Sequence, residues 1–217
     1  MAVEAINTSM VAGATGLVGR HVVEQLTAQR IPVIALTRRL VADFPDGTEQ
    51  FLVDFNALLG GAELPACQHL YVCLGTTIRR AGSRAAFRKV DIDYALAVAK
   101  RARASGATML TLVSSVGANA RSANFYLRTK GEVEEALLGL GFAAVNIFRP
   151  GLLTGARAQR RMLEGIAQNM AKVVDPILVG GLRRYRSVAA DKLAAAMVEP
   201  EHQMQGTRYW YFADLPD

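Results

Sequence analysis

The chain has 217 residues, a net charge of +6 at pH 7 and a hydrophobic content of 51%, which is typical of one globular domain with a substantial core. Two cysteines are too few for a disulfide framework, and no apolar run approaches the ~18 residues that a membrane span needs. The first residues show no basic region followed by an apolar core, so no secretory signal is predicted. From these absences alone we expect a cytoplasmic protein with no membrane contact.

The positive charge favours an anionic partner without naming one. The arginines are spread along the chain and do not alternate with aromatic residues, so nucleic acid is disfavoured and a phosphate-bearing cofactor or substrate is preferred. The histidines His21, His69 and His202 show no metal-ligand spacing, and we expect no metal site.

Residues 9–19, SMVAGATGLVG, combine a short apolar strand, a glycine turn and the start of a helix. The glycines Gly13, Gly16 and Gly19 allow a turn at positive φ and a close approach of backbone N–H groups to a phosphate at the helix N-terminus. The spacing G-x-x-G-x-x-G is a variant of the dinucleotide-binding fingerprint G-x-G-x-x-G. An alternative is that these glycines only permit close packing of the strand on the helix.

A second strand is predicted at residues 31–36, and Arg38 and Arg39 follow it. In a Rossmann unit this strand ends beside the adenosine ribose, where an acidic residue favours a free 2′-hydroxyl and an arginine accommodates a 2′-phosphate. No acidic residue occurs between the end of this strand and Asp43, so Arg38 favours NADPH over NADH. A solvated charge at the end of the strand is the alternative.

The rest of the chain alternates apolar strands with amphipathic helices. Further strands are predicted at residues 50–53, 70–74, 109–113 and 145–148. Helices are predicted at 85–105 and from 125 onward, whereas 78–84 is predicted to be a loop. This alternation indicates an α/β fold: a single Rossmann-like, doubly wound and mostly parallel sheet flanked by helices, spanning 1–217.

The last third is expected to contribute a small cap at residues 152–187, within the same domain. A helix is predicted at 158–174, a second helix at 188–198, and a last strand within 207–214. Arginines in the cap, such as Arg157 and Arg183, either favour an acidic substrate or are simply solvated.

Tyr126 and Lys130 are four residues apart and therefore share one face of the predicted helix. A phenol has a reference pKa of about 10, and a nearby ammonium stabilises its ionised form. Such a pair can exchange a proton with a carbonyl or alcohol oxygen while a cofactor carries the hydride. A hydroxyl of Ser115 or Ser114, after the strand 109–113, can orient that oxygen. The alternative is a half-buried tyrosine beside a surface lysine.

The order of these motifs resembles the short-chain dehydrogenase/reductase superfamily. The matching pieces are GATGLVG, CLGTT, VDIDY, VSSVGA, YLRTKGEVE and FRPG, which span most of the chain up to Gly151. The chain looks most like the atypical short branch that includes Tat-interacting-protein-like oxidoreductases. The usual Asn-Ala-Gly after the fourth strand is replaced by Leu74-Gly75-Thr76.

The resemblance implies an NADP-binding domain in which Tyr126 donates or accepts the proton, Lys130 assists it and contacts the ribose, and Ser115 is catalytic, with Ser114 as the alternative. It places Pro150 near the nicotinamide. The other residues that it implies for cofactor binding are Gly13, Thr15, Gly16, Leu17, Arg38, Asp54 and Gly75.

The favoured function is therefore an NADPH-dependent oxidoreductase that reduces a carbonyl of a small-molecule substrate. One alternative is a regulatory protein that senses NADPH with little or no turnover. A second is a nucleotide-sugar epimerase-like enzyme, which is less expected because the part after Gly151 is short compared with extended family members. The sequence does not decide whether the protein is a homo-oligomer. The helices that begin near residues 85 and 124 could pair in a dimer, but packing on the sheet explains their apolar faces equally well.

Overall fold

The computed structural model describes residues 7–155, 180–199 and 205–214. Nine strands lie in these ranges: β1 (Ser9–Ala12), β2 (Val33–Thr37), β3 (Thr48–Leu52), β4 (His69–Val72), β5 (Met109–Val113), β6 (Ala144–Phe148), β7 (Leu153–Thr154), β8 (Val188–Ala189) and β9 (Gly206–Trp210). Seven of them form one sheet in the order β3-β2-β1-β4-β5-β6-β9, and every neighbouring pair is parallel. The predicted Rossmann-like α/β fold is confirmed.

The described helices flank this sheet. They are α1 (Leu17–Ala28), α2 (Phe55–Leu59), α3 (Ile78–Ala81), α4 (Arg84–Arg88), α5 (Ala95–Ala104), α6 (Phe125–Leu138) and α7 (Ala190–Met197). A π-helical segment, Lys89–Tyr94, joins α4 to α5, and short 3-10 turns occur at Gly180–Tyr185 and Phe212–Asp214. Within the described ranges, no helix has the length and apolar character needed to cross a bilayer.

The core has two layers because successive side chains of each strand point to opposite faces of the sheet. Met10 packs on one face in a cluster with Leu70, Leu110 and Leu137. Val11, the next residue, packs on the other face against residues such as Leu193 of α7. Burial on both faces explains why these strands are apolar throughout rather than alternating.

The topological switch point of the sheet lies between β1 and β4. β2 and β3 are added on one side of β1, and the chain then crosses over to place β4 on the other side. At such a point the loops after the two strands diverge and leave a crevice at the carboxyl edge of the sheet. The loops after β1 and β4 are the segments that carry the glycine turn and Gly75.

One local prediction, the loop at 78–84, is wrong, and two predicted helices are present with a local difference. Residues 78–84 contain the one-turn helix α3, because Thr77 caps it: its hydroxyl accepts from the Arg80 N–H at 3.2 Å. The helix predicted at 85–105 is interrupted by the π-helical segment, and the helix predicted at 188–198 begins with the strand β8. Apolar periodicity does not report such changes of backbone hydrogen bonding.

The separate two-stranded sheet pairs β7 with β8 in parallel. β7 falls in the segment 152–187, where the sequence predicts a cap, whereas β8 follows directly after that segment. The predicted helix 158–174, with Arg157, Arg160 and Arg161, lies outside the described residues. The cap and the single-domain boundaries stay predictions.

Candidate functional site

The glycine turn leaves no room for side chains. A Cβ on Gly13, whose φ is +83°, would lie 2.5 Å from the Cys73 carbonyl oxygen after β4, and a Cβ on Gly19 would lie 2.3 Å from the Gly13 carbonyl oxygen. These glycines therefore do permit close packing of the strand on the helix, as the alternative interpretation of the motif predicts. They bring the start of α1 and the end of β4 to the same point.

The start of α1 also fits a phosphate. Its N-cap is Gly16, and no side chain there accepts a hydrogen bond from the first N–H groups of this helix of 12 residues. Uncapped N–H groups and the helix dipole together favour an anion. The two interpretations of the glycine turn are thus compatible.

A cleft of about 290 Å³ opens beside this turn at the carboxyl edge of the sheet. Four of the residues predicted to bind cofactor line it together with Gly75: Gly13, Thr15, Gly16 and Arg38. Its apolar wall is formed by Leu36 of β2, Phe55 at the start of α2, Leu74 after β4, and Val90 and Tyr94 of the π-helical segment. A polar turn next to an apolar slot fits the pyrophosphate and adenine of a dinucleotide.

A second cavity, of about 820 Å³, adjoins the cleft on the side of Arg38 and Arg39. Arg20 lines it as well, with its guanidinium 2.9 Å from the Asp43 carboxylate and 3.2 Å from Glu24. Arg38 lines both spaces. The structure therefore places the predicted 2′-phosphate residue at the boundary between the cleft and a basic cavity.

Three other predicted cofactor residues lie outside the linings of these two cavities. Leu17 is the half-buried first residue of α1. Asp54 caps α2, and its carboxylate accepts from the Asn56 N–H at 2.8 Å. Pro150 is buried, and its carbonyl accepts from the Val116 N–H at 2.9 Å. Their roles toward a cofactor stay predictions.

Tyr126 and Lys130 lie on one face of α6. Tyr126 is 37% exposed, whereas Lys130 is buried with its Nζ 6.0 Å from the centre of the Tyr126 ring. A Cβ on Gly75 would lie 3.8 Å from the same Nζ. The ammonium is therefore next to both the tyrosine and a glycine of the cleft wall.

Asp91 is a site residue that the sequence analysis missed. It is buried on the π-helical segment, its Oδ1 lies 2.7 Å from Lys130 Nζ, and its Oδ2 accepts from the Thr76 N–H at 3.0 Å. Burial by itself would lower the pKa of Lys130, but interactions with Asp91 and Tyr126 raise that pKa above its ordinary value. The VDIDY motif contained the residue, but nothing local to it shows that its partner is Lys130.

The two adjacent serines have different surroundings. The Ser114 hydroxyl is buried and donates to Glu134, which forms an ion pair with Arg149. The Ser115 side chain is half-buried, and its hydroxyl lies 3.3 Å from the Val116 carbonyl, a weak contact. A hydroxyl engaged by a buried carboxylate is less available to a substrate, which favours Ser115 over Ser114.

Arg149 extends this network to the last described segment. Its Nη1 donates to the Tyr211 hydroxyl at 2.9 Å, and its guanidinium lies 4.4 Å from the centre of the Tyr209 ring. Burial alone would lower the pKa of Arg149, but the hydrogen bond and charge of Glu134 raise it, so the Arg149 guanidinium stays charged. The network thus ties α6 to β9.

The segment after Ser115 rests directly on α6. A Cβ on Gly131 would lie 2.1 Å from the Ala120 nitrogen, and the Asn119 N–H donates to the Leu127 carbonyl at 3.1 Å. Gly131 follows Lys130 immediately and was not singled out from the sequence. It permits the close contact that holds this segment against the helix of Tyr126 and Lys130.

Comparison with known families agrees with this arrangement. The model of the family described as "NAD dependent epimerase/dehydratase family" matches residues 9–199. The chain belongs to the NAD-dependent epimerase/dehydratase family. Members of this family bind NAD(P), and the family lies within the short-chain dehydrogenases/reductases that the motifs resembled, so that prediction is confirmed.

Several curated family members are similar over most of the chain. Protein FMP52, mitochondrial, of Coccidioides immitis is 32% identical over 174 residues, covering 73% of this chain and 71% of that protein. Protein HTATIP2 of Rattus norvegicus is 36% identical over 164 residues, covering 72% of this chain and 66% of that protein. The latter match supports the Tat-interacting-protein-like branch.

The prediction of a cytoplasmic location is wrong in the light of these relatives, because FMP52 proteins from several fungi are named mitochondrial. The prediction rested only on missing signals. The absence of a secretory signal or an apolar span does not distinguish one aqueous compartment from another.

Solved structures of the same fold include human epimerase family protein SDR39U1 with NADPH, at 16% identity and a TM-score of 0.62, covering 94% of this chain and 74% of that chain. UDP-glucose 4-epimerase of Thermotoga maritima with UDP-glucose has 15% identity and a TM-score of 0.68, covering 92% of this chain and 75% of that one. At such identities the likeness shows the fold alone.

Proposed function

We propose that this family member is an NADPH-dependent oxidoreductase that reduces a carbonyl of a small molecule at a Ser115–Tyr126–Lys130 site. One observation carries the proposal: the buried Lys130 ammonium lies between the Tyr126 ring and the Gly75 wall of the cleft. A cation at this position can stabilise the ionised form of a proton-donating tyrosine and can also contact a cofactor bound in the cleft.

The chain's own groups divide the work as follows. The Tyr126 hydroxyl donates a proton to the carbonyl oxygen, and the Lys130 ammonium stabilises the phenolate that remains. The Ser115 hydroxyl donates a hydrogen bond to the same oxygen. NADPH, when bound, supplies the hydride.

Cofactor binding is assigned to the glycine turn and its surroundings. The N–H groups at the start of α1 bind the pyrophosphate, the apolar slot takes the adenine, and Arg38 binds the 2′-phosphate. The absence of an acidic residue at the end of β2 supports NADPH over NADH, since a carboxylate there would repel the 2′-phosphate.

Asp91 assists as a positioning residue. Its carboxylate fixes the Lys130 ammonium with one oxygen and the Thr76 N–H with the other. The loop after β4 is thereby held against the lysine, so that the cleft wall and the site on α6 keep one relative position.

The same ion pair favours a second candidate function, an NADPH-sensing protein with little turnover. Lys130 and Asp91 together carry no net charge, so they support a phenolate less strongly than an unpaired ammonium would. The epimerase alternative is supported by the family match and by a likeness in fold, but no contact within the site favours it over carbonyl reduction.

The test begins with fluorescence titrations of the protein with NADPH and with NADH, followed by turnover assays against a panel of aldehydes and ketones. Tyr126→Phe removes only the hydroxyl, and we expect kcat/KM to fall by about 100-fold or more while the Kd for NADPH stays unchanged. Tyr185→Phe is a matched control, because its side chain is exposed to a similar degree, 40% against 37%.

The outcomes test the role of Tyr126, the choice between enzyme and sensor, and the role of Arg38. Full carbonyl reduction by Tyr126→Phe would show that the tyrosine has been assigned the wrong role. Tight NADPH binding without turnover of any carbonyl compound would favour the sensor. Equal binding of NADPH and NADH would remove the argument from Arg38.

A further inference from the structure

The cofactor cleft and the basic cavity share three lining residues, Thr15, Arg38 and Arg80. Arg38 follows β2, whereas Arg80 lies on α3 after β4, so the two arginines come from different crossovers of the sheet. Arg80 was not singled out from the sequence, where its segment is predicted to be a loop. Only the fold brings it to the same junction as Arg38.

The arginines around this junction differ in their partners. Arg20 is neutralised by Asp43 and Glu24. In the part of the chain that the structure describes, the side chains of Arg38, Arg39 and Arg80 form no ion pair and no hydrogen bond with the protein. Guanidinium groups that share a cavity repel one another, and a bound anion relieves that repulsion.

The turn that carries Arg80 is held in place at both ends. The Thr77 hydroxyl caps α3 by accepting from the Arg80 N–H, and Gly82, with a φ of +82°, ends the helix. The preceding residue, Thr76, donates its N–H to the buried Asp91. Arg80 is therefore presented by a segment that is anchored to the carboxylate paired with Lys130.

We propose that Arg80 is the second guanidinium that binds the 2′-phosphate of a 2′-phosphoadenosine group, reaching it from the segment after β4 while Arg38 reaches it from the segment after β2. This inference rests on the proposed function only in taking NADP(H) as the cofactor. A planar guanidinium forms paired hydrogen bonds with phosphate oxygens, and two of them from separate loops enclose the dianion.

The test measures binding rather than activity. The Kd values of NADPH, NADH, 2′,5′-ADP and 5′-AMP are compared for wild type, Arg80→Ala, Arg80→Lys and Arg38→Ala. Arg79→Ala is the matched control, because Arg79 is an exposed neighbour on the same helix and lines neither cavity. An unchanged thermal midpoint verifies that each variant is folded.

We expect Arg80→Ala to weaken NADPH and 2′,5′-ADP by about 10- to 100-fold, with NADH and 5′-AMP unaffected, as for the loss of one charged hydrogen-bonding partner. Arg80→Lys should recover part of the loss, because it keeps the charge without the paired geometry. NADPH binding by Arg80→Ala should also depend less on salt than in wild type.

The inference fails if Arg80→Ala weakens NADPH and NADH equally, since the arginine then acts on the part that both share, or if it weakens neither. In those cases a loss of preference in Arg38→Ala leaves the proposed cofactor intact. If wild type itself does not distinguish 2′,5′-ADP from 5′-AMP, the proposed cofactor is wrong and Arg80 has no phosphate to bind.

Discussion

The Lys130 ammonium lies 2.7 Å from the Asp91 carboxylate, and both side chains are buried although they belong to different helical segments. The pair joins α6 to the π-helical segment, and the hydrogen bond from Thr76 to Asp91 extends the connection to the cleft. Such π-helical turns are frequent at functional sites. The site is therefore cross-linked through one carboxylate.

Replacing Asp91 tests this cross-link. Asp91→Ala leaves a buried ammonium without its counter-ion, and we expect the free energy of unfolding to fall by about 3–5 kcal/mol. Asp91→Asn should cost less, because the amide oxygen still accepts a hydrogen bond. Urea unfolding measures both, with Asp93→Ala, an exposed neighbour, as the control. Equal stability of all three variants would contradict a structural role of the pair.

The same pair predicts a pH dependence at the alkaline end. The folded state raises the pKa of Lys130 above the ordinary value of 10.5, so its contribution to stability is complete below that pH and is lost as pH rises through the folded-state value. We expect the difference in stability between wild type and Lys130→Met to be constant from neutral pH to about 10 and to shrink above it. A difference that shrinks between pH 6 and 9 would contradict the raised pKa.

Gly131 on α6 and Gly139, which directly follows α6, offer a comparison of two glycine substitutions. A Cβ on Gly131 would collide with the backbone of residues 119–120, whereas on Gly139, with a φ of −68°, it would lie 3.6 Å from the nearest atom, an ordinary contact. We expect Gly131→Ala to cost about 1–3 kcal/mol and to weaken carbonyl reduction. Gly139→Ala should be neutral or slightly stabilising. Equal melting temperatures of the two variants would show that residues 119–120 move to accommodate the added methyl group.

Glu134 is predicted to hold the last described segment, because it neutralises the Arg149 that contacts Tyr209 and Tyr211. Glu134→Ala should destabilise the protein by about 1.5–3 kcal/mol and raise amide hydrogen exchange in residues 205–214 above that of the rest of the sheet. Glu135→Ala, an exposed neighbour, is the control. If amide exchange in residues 205–214 is the same in both variants, the network does not hold this segment.

Both cysteines are expected to be unreactive in the folded protein. Burial raises the pKa of Cys73 and of Cys67 to about 12, which lowers the thiolate population by about 1000-fold relative to an ordinary thiol near pH 8. Iodoacetamide should therefore label neither residue appreciably until urea unfolds the chain, as followed by peptide mass spectrometry. Rapid labelling in the folded state of Cys73, which is half-buried and lines the cleft, would contradict the raised pKa of its thiol.

The strand, turn and helix at residues 9–28 and the strands at 9–12 and 109–113 were predictable because apolar runs and glycine spacing are local signals. The shared face of Tyr126 and Lys130 followed from helical periodicity alone. The predicted cytoplasmic location had no such physical signal behind it, and the relatives contradict it.

The sequence by itself determined the order of the elements, the parallel sheet and the spacing of the Tyr–Lys pair, since these depend on neighbours within a few turns of chain. Only the tertiary structure decided that Asp91 pairs with Lys130, that Ser114 donates to Glu134 and that Arg80 lines the same cavity as Arg38. Asp91 and Lys130, like Arg38 and Arg80, belong to different crossovers of the sheet, whereas Ser114 and Glu134 lie 20 residues apart in one crossover. Packing of the whole chain, rather than any local pattern, sets which side chains meet.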